Sequence, residues 1–189
     1  MISSLRAIAI AAVLVTQATA VHAIEWTMIP DSSTLRFQGT QTGQAFNGQF
    51  RRFDAQITLD PEDLSDASIV ATIDIASFAS GSPDRDSDAL TGGWFNSRQF
   101  PQATFTSSAV THVEGNSYLA VGTLAIKDVQ REVQLPFTLD IAGDQAVADG
   151  TIELNRMEYG VTGGGENEDD SFVGHAVNVS FHIVATKAE

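Results

Sequence analysis

From Ile24 onward, apolar and polar residues alternate in short runs separated by clusters of Gly, Asp, Asn, Ser and Pro. That is the period-two signature of antiparallel strands. Runs at 25–29 and 34–39 flank a Pro30-Asp31-Ser32-Ser33 turn, and the second places Leu35 and Phe37 on one face. Phe46, Gly48 and Phe50 share one parity, whereas Phe53, Ala55, Ile57 and Leu59 share the other. A bulge at Arg51-Arg52 would return all of them to a single face, and bulges are where a sheet bends into a barrel. After an Asp60-Pro61-Glu62-Asp63 turn, Ile69, Ala71, Ile73 and Ile75 alternate strictly.

Four further runs complete the pattern, at 103–110, 118–126, 133–141 and 146–154, and a last strand spans 173–185 with Val173, Val177, Val179, Phe181 and Ile183 on one parity. Glu114-Gly115-Asn116 and Ala142-Gly143-Asp144 supply hairpin turns. Eight strands result if 25–39 is one broken strand. The segment 82–100 does not alternate. Leu90, Trp94 and Phe95 there predict a short helix or two helical turns, begun by Ser82 or Asp84 with Pro83 at the first position. The strand count alone fits a sandwich or a barrel. Gly39, Gly48, Gly122 and Gly150 lie inside strand patterns, where glycine marks a bend or the close approach of another group. Inward-facing small residues would leave a small barrel room for one slender ligand.

The alternation begins only after residue 23. Residues 1–23 carry Arg6, then an apolar run too short to span a bilayer, then Val21-His22-Ala23 before the expected cleavage, with Ala18-Thr19-Ala20 a second site. The expectation is a signal peptide over 1–23, a single exported domain over 24–189, and periplasmic localisation without stable membrane insertion. The chain has no cysteine, which removes disulfides, thiol catalysis and thiolate metal sites together. Residues 24–189 hold 9 basic against 24 acidic residues, a formal charge of −15. Such a surface repels phosphate backbones, so nucleic-acid binding is excluded as a function class.

The segment Trp94-Phe95-Asn96-Ser97-Arg98-Gln99-Phe100-Pro101-Gln102-Ala103-Thr104-Phe105 resembles the hallmark of the YceI-like family of bacterial exported proteins, F-(D/N)-x-x-x-(F/Y)-P-x-A-x-F. Downstream, Gly122-Thr123-Leu124-Ala125-Ile126-Lys127-Asp128-Val129-Gln130-Arg131-Glu132-Val133-Gln134-Leu135-Pro136-Phe137 is similar to that family's hairpin. Asp74-Ile75-Ala76-Ser77 and Arg85-Asp86-Ser87-Asp88-Ala89-Leu90 resemble its strand and helical insertion. The resemblance implies an all-β fold, an extended antiparallel eight-stranded lipocalin-like barrel with a short helical insertion. It further implies a lumen that takes up a polyisoprenoid or an isoprenoid quinone, with no enzymatic role and no cofactor beyond that ligand. Because some members are fused to di-haem cytochromes, a membrane electron-transfer partner is compatible with it, as is a homodimer. One departure stands out: relatives usually carry Gly-Glu-Trp after the Tyr159-Gly160-Val161 position, whereas Asn167 follows Gly165-Glu166 here.

On this reading the candidate cavity residues are Phe37, Phe46, Phe50, Phe53, Ile73, Ile75, Leu90, Trp94, Phe95, Phe105, Leu124 and Phe137; each is equally what a packed barrel core would contain. Arg85 is the candidate for a head-group hydrogen bond, with Asp86 beside it; an ion pair or a cap pinning the helix is the plainer role for the two. Asp84, Asp86 and Asp88 alternate like half an EF-hand, but Ala89 and Phe95 stand where Gly and Glu are required. The acidic run Glu166, Glu168, Asp169 and Asp170 reads as a solvated loop. His112, His175 and His182 share no strand face, and no nucleophile elbow is present, so no metal and no catalytic residue is assigned. The rival function is a stress-response or protein-interaction module whose barrel is filled by its own side chains; an enzyme acting on a bound lipid ranks last.

Overall fold

The structure, a computed structural model, describes residues 24–188; the expected signal peptide and its cleavage site lie outside the described residues. Eleven strands form one antiparallel sheet: β1 (Glu25–Met28), β2 (Thr34–Gln41), β3 (Gln44–Phe50), β4 (Phe53–Asp60), β5 (Asp63–Asp74), β6 (Phe78–Ala79), β7 (Gln102–Glu114), β8 (Ser117–Ile126), β9 (Val129–Ala142), β10 (Gln145–Asn155) and β11 (Ala176–Lys187). The first six are halves of three broken staves. β1 and β2 both pair with β11, β4 pairs with β1 while β3 pairs with β2, and β5 pairs with β4 while β6 pairs with β3. Counting each pair once gives eight staves, closed into a barrel by the β1–β11 pairing.

The breaks are where the sequence changes parity. A 3-10 turn at Pro30–Ser32 separates β1 from β2, Arg51-Arg52 separates β3 from β4, and a second 3-10 turn at Ile75–Ser77 separates β5 from β6. Each break leaves backbone groups without ladder partners, and a buried group must find a partner or lose free energy. Serines supply it. Ser33, 8% exposed, donates to the Ile29 carbonyl at 2.9 Å and accepts from the Val184 N–H at 3.0 Å. Ser77, 3% exposed, accepts from the Arg52 N–H at 3.0 Å and donates to the Asp74 carbonyl at 2.6 Å. Arg52 ties the same corner from outside through a 2.8 Å bond to Asp74.

Above the breaks, β6 pairs only with β3, so the wall is open between β6 and β7. The intervening segment fills that gap. Ser82 caps helix α1 (Pro83–Ala89), with its hydroxyl accepting from the Arg85 N–H and Pro83 at the first position, as the sequence predicts. The helix ends at Leu90, and turns carry the chain through Trp94 and Phe95 to β7.

The strand glycines have a use that alternation alone does not show. Gly48 lies beneath the Phe37 ring, Gly39 beneath Phe46 and Gly150 beneath Phe181, each on its cross-strand partner. The room left by those glycines is therefore taken by aromatic rings that flatten onto the wall. Gly122 differs. A Cβ there would meet the Thr106 carbonyl oxygen at 2.4 Å and the Ser107 Cα at 2.7 Å, beside the irregularity between Ser107 and Ala109 that turns Val110 back toward the core. At the far end β9 overhangs the barrel, so Ile141 is 38% exposed despite sharing the parity of Val133 to Leu139. The last strand begins at Ala176, which leaves His175 in the preceding loop.

Gly122→Ala should destabilise the protein by about 2–4 kcal/mol, because the clash is with backbone that cannot rotate away. Urea unfolding of the two proteins measures it, and a midpoint equal to wild type would mean that the β7–β8 pair has slack at this point.

Candidate functional site

The inward faces of the staves enclose a cavity of about 490 Å³, within the range of pockets that bury a small ligand almost completely. Its walls are apolar along nearly their whole length. β4 and β5 contribute Phe53, Ala55, Ile57, Leu59, Ile69, Ala71 and Ile73; β9 to β11 contribute Val133, Leu135, Leu139, Ala146, Ala148, Ile152, Leu154, Val177, Val179, Phe181 and Ile183. The alternation of each strand is thus what makes the lumen: every second side chain turns in, and alanines on β4, β5, β7, β10 and β11 keep it from filling.

The candidate residues are brought together with one exception. Phe37, Phe46, Phe50, Phe53, Ile73, Ile75, Arg85, Trp94, Phe95, Phe105, Leu124 and Phe137 all line the cavity. Leu90 does not. It forms the C-cap of α1, and its neighbour Ala89 lines the cavity instead, because the helix ends at Ala89 and the chain from Leu90 to Trp94 runs in turns, where a spacing of four no longer puts two residues on one face.

Toward the mouth the aromatic rings form one cluster. Phe37 stacks on Phe78 at 4.8 Å between centroids, and Phe78 reaches Phe50 at 5.7 Å and Phe95 at 6.0 Å, largely edge-on or tilted. Phe78 sits at the centre of this cluster, yet its even number sets it off the parity of Ile73 and Ile75. The 3-10 turn at Ile75–Ser77 resets the parity, and the only hint in the sequence is that Ser77-Phe78 interrupts the alternation.

The polar lining is confined to this end. Arg85 lies over the Phe46 ring at 4.1 Å, donates to the Gln41 side-chain oxygen from Nε and Nη2 at 3.3 and 3.1 Å, and donates from Nη1 to the Ser80 hydroxyl at 3.1 Å. It forms no ion pair with Asp86 among the described residues. Asp86 instead accepts from the Ser80 N–H and hydroxyl at 2.7 and 2.6 Å, so Ser80 links the two. Of the five guanidinium N–H groups, two are left without a protein acceptor, and the side chain borders the cavity. Asp84, Asp88 and Gln41 stand beside it.

Across the mouth, Arg156 has a different role. It is 7% exposed and donates to the backbone carbonyls of Gly174 (3.0 Å), Val161 (2.8 Å), Thr162 (3.0 Å), Val173 (2.7 Å) and Asn167. Every N–H is spent on the loop that joins β10 to β11. Its guanidinium also lies 5.3 Å from the Trp94 ring, and the Gly163 N–H donates to the Gly93 carbonyl at 2.8 Å, so this loop and the helical insertion are fastened to each other. Gly163, at a φ of 74°, could carry no side chain, since a Cβ would lie 2.4 Å from the Trp94 ring. Burial lowers the Arg156 pKa, and Asp170 and Glu168 raise it again. Asn167 lines the cavity, but its side-chain amide donates to the Gly164 carbonyl at 3.1 Å and is held within its own loop. Nothing in local sequence marks Arg156, because its partners come from residues 161–174 only after the loop has folded over it.

Tyr159, 2% exposed, also lines the cavity, and its hydroxyl makes no hydrogen bond among the described residues. Burial pushes the phenol pKa up, Glu158 adds to the rise and Arg131 opposes it.

The model of the YceI-like domain matches residues 26–185, all but the outermost residues of the barrel. The chain belongs to the YceI-like family. Among relatives of this family, the UPF0312 protein plu2095 of Photorhabdus laumondii is 33% identical over 88 residues, 47% of this chain and 45% of that protein. Protein YceI of Salmonella arizonae is 33% identical over 97 residues, 51% and 50% of the two chains. The matches thus span about half the length of these curated relatives. Among solved YceI-like structures, Burkholderia cenocepacia BcnA superposes with a TM-score of 0.80 at 33% identity, covering 84% of this chain and 99% of its own. A polyisoprenoid binding domain from Saccharophagus degradans superposes with a TM-score of 0.69 at 16% identity, covering 86% and 98%, and shares the fold.

Arg156→Met should cost about 3–5 kcal/mol, since it strands several buried carbonyls at once. It should also open residues 161–174 to limited proteolysis; an intact loop and unchanged unfolding midpoint would show that the clamp is dispensable. Tyr159 gives a pH test. Because its folded pKa is raised, it favours the neutral phenol, a contribution present below the unfolded value of about 10 and lost as pH rises through the folded one. Tyr159→Phe should therefore lose less stability than wild type between neutral pH and about pH 11; parallel loss in both proteins would remove this phenol from the alkaline transition.

Proposed function

We propose that this protein is a periplasmic carrier that sequesters the chain of a polyisoprenoid or an isoprenoid quinone in its barrel, and that it acts by binding and release without catalysing a reaction. The observation that carries this reading is the distribution of chemistry along the cavity: a long apolar lumen with its polar groups gathered at one end. An isoprenoid has the same asymmetry. Each five-carbon unit withdrawn from water contributes up to about 4 kcal/mol at roughly 0.8 kcal/mol per methylene-sized group, so a few units offset the cost of association. The Saccharophagus degradans domain of the same fold, described as polyisoprenoid binding, supports this class of ligand.

The polar end suits a head that accepts hydrogen bonds. Arg85 offers two N–H groups beside the lumen, enough for a quinone or alcohol oxygen. No histidine lines the cavity among the described residues, and the lining Ser82, near Asp84, is engaged as the cap of α1, which supports binding over catalysis. A cavity of about 490 Å³ also disfavours the rival in which the barrel is filled by its own side chains. The charged start and apolar run of residues 1–23 support export to the periplasm, where an apolar lipid moving between membranes needs a water-soluble shell.

Native mass spectrometry of protein taken from the periplasm of its own cells, followed by organic extraction, should show a stoichiometric isoprenoid. Arg85→Met should then weaken a quinone by about tenfold while leaving a headless isoprenoid hydrocarbon unchanged. Protein that is consistently empty and takes up no added isoprenoid would sink the carrier reading.

A further inference from the structure

We propose that Trp26 forms a floor across the barrel that sets the longest isoprenoid tail the lumen can enclose, an inference that rests on the carrier reading. Gln41, Asp84, Arg85, Asp88 and Asn167 all lie at the mouth, so a ligand with one polar end enters tail first. The tail runs toward the end of the barrel where the chain enters β1 and leaves β11.

There the lumen stops. Trp26, Leu59 and Phe137 border the cavity and are 6%, 3% and 7% exposed. Farther from the mouth along β7 and β8, past the lining residues Phe105 and Leu124, Val110, Tyr118 and Ala120 are equally buried but do not border it. The last layer of the barrel on that side is therefore solid core, and Tyr118 stacks against Phe137, its cross-strand partner, at 5.6 Å between centroids. A tail cannot pass through such a layer without displacing close-packed side chains.

Trp26 is the part of the floor that is fixed in place. Its Nε1 donates to the Leu59 carbonyl at 2.9 Å, and its strand is paired on both sides, with Ile57 across β4 and Lys187 across β11. Swinging the indole aside would break a buried hydrogen bond, so the ring is a stop and not a flap. Two inward levels above it along β11, past Ala146 opposite Ala185, Ala148 opposite Leu139 and Ile183 keeps the lumen open with a methyl group. The floor and this alanine together define where the tail ends. Units beyond the limit stay at the mouth in water and add nothing to affinity.

The test is the affinity of the wild-type protein for all-trans prenols of increasing length, from farnesol through geranylgeraniol to solanesol, alongside Trp26→Ala and Ala148→Phe. In wild type each enclosed unit should tighten binding by at least about tenfold, followed by a plateau where a further unit changes affinity less than about threefold. Trp26→Ala should move the plateau to a chain about one unit longer, because the indole it removes is bulkier than a single isoprene unit and leaves room for one. Ala148→Phe, which adds volume and leaves the floor's packing in place, should move it to a shorter chain even if Trp26→Ala does not fold. A plateau at the same length in wild type and in every folded variant overturns the floor while leaving the carrier reading standing, as does affinity that climbs without a plateau. Failure of every prenol to bind wild type overturns both.

Discussion

Backbone hydrogen bonding at the places where the barrel wall is interrupted is the constraint on which the rest of this structure depends. A closed barrel satisfies every N–H and C=O by pairing neighbouring strands, and breaking a strand orphans several of them at once. Here three staves are broken and one loop is folded over the mouth. Among the buried polar side chains, Ser33, Ser77 and Arg156 each sit at such a point. The two serines replace missing ladder partners at the first and third breaks, and Arg156 stands in for a neighbouring strand, holding five carbonyls of a loop that meets the sheet only at a short bridge between Val173 and Gln41.

These interruptions are what make a mouth. An unbroken eight-stranded barrel has room for side chains and little else. Because β5 turns aside at Ile75–Ser77, β6 pairs with β3 alone while β7 begins only at Gln102, opposite the last residue of β5, and the opening is roofed by α1 and the turns after it. The roof is fastened to the β10–β11 loop by Gly163, Trp94 and Arg156. Below the breaks the barrel is regular and ends in packed core. Polar lining at one end and a closed apolar layer at the other follow from that single asymmetry, and the proposed orientation and reach of a bound chain rest on them.

Much of this was legible in the alternation. The change of parity at Arg51-Arg52, which is a break between β3 and β4 and not a bulge within one strand, the broken first stave, the Ser82-Pro83 start of the helix and the inward face of nearly every strand are local matters, fixed by which side chains must share a face. The residues that alternation misplaced or passed over have a common cause. Phe78 was hidden because a 3-10 turn shifts parity by one; Leu90 was put inside because helical spacing was extended past the point where the helix stops. The strand glycines mark the close approach of another group, as the pattern implies, but at three of them that group is a ring of the barrel itself, Phe37, Phe46 or Phe181, and not a ligand. In each case the deciding fact is what lies on the neighbouring strand or in the next turn.

What the sequence by itself determined is therefore the wall: the strands, their inward faces, the acidic surface, the absence of thiol chemistry and the family to which the barrel belongs. Period-two patterning acts over a few residues and survives without knowledge of any partner. Only the tertiary structure decided that Arg85 turns to Gln41 and Ser80 and not to Asp86, that Arg156 holds the mouth loop, and that Trp26 closes the far end. Those roles belong to contacts between residues 33 or 44 positions apart, or between a side chain and a loop that folds back on it. No local rule specifies such contacts, because closure of the barrel creates them.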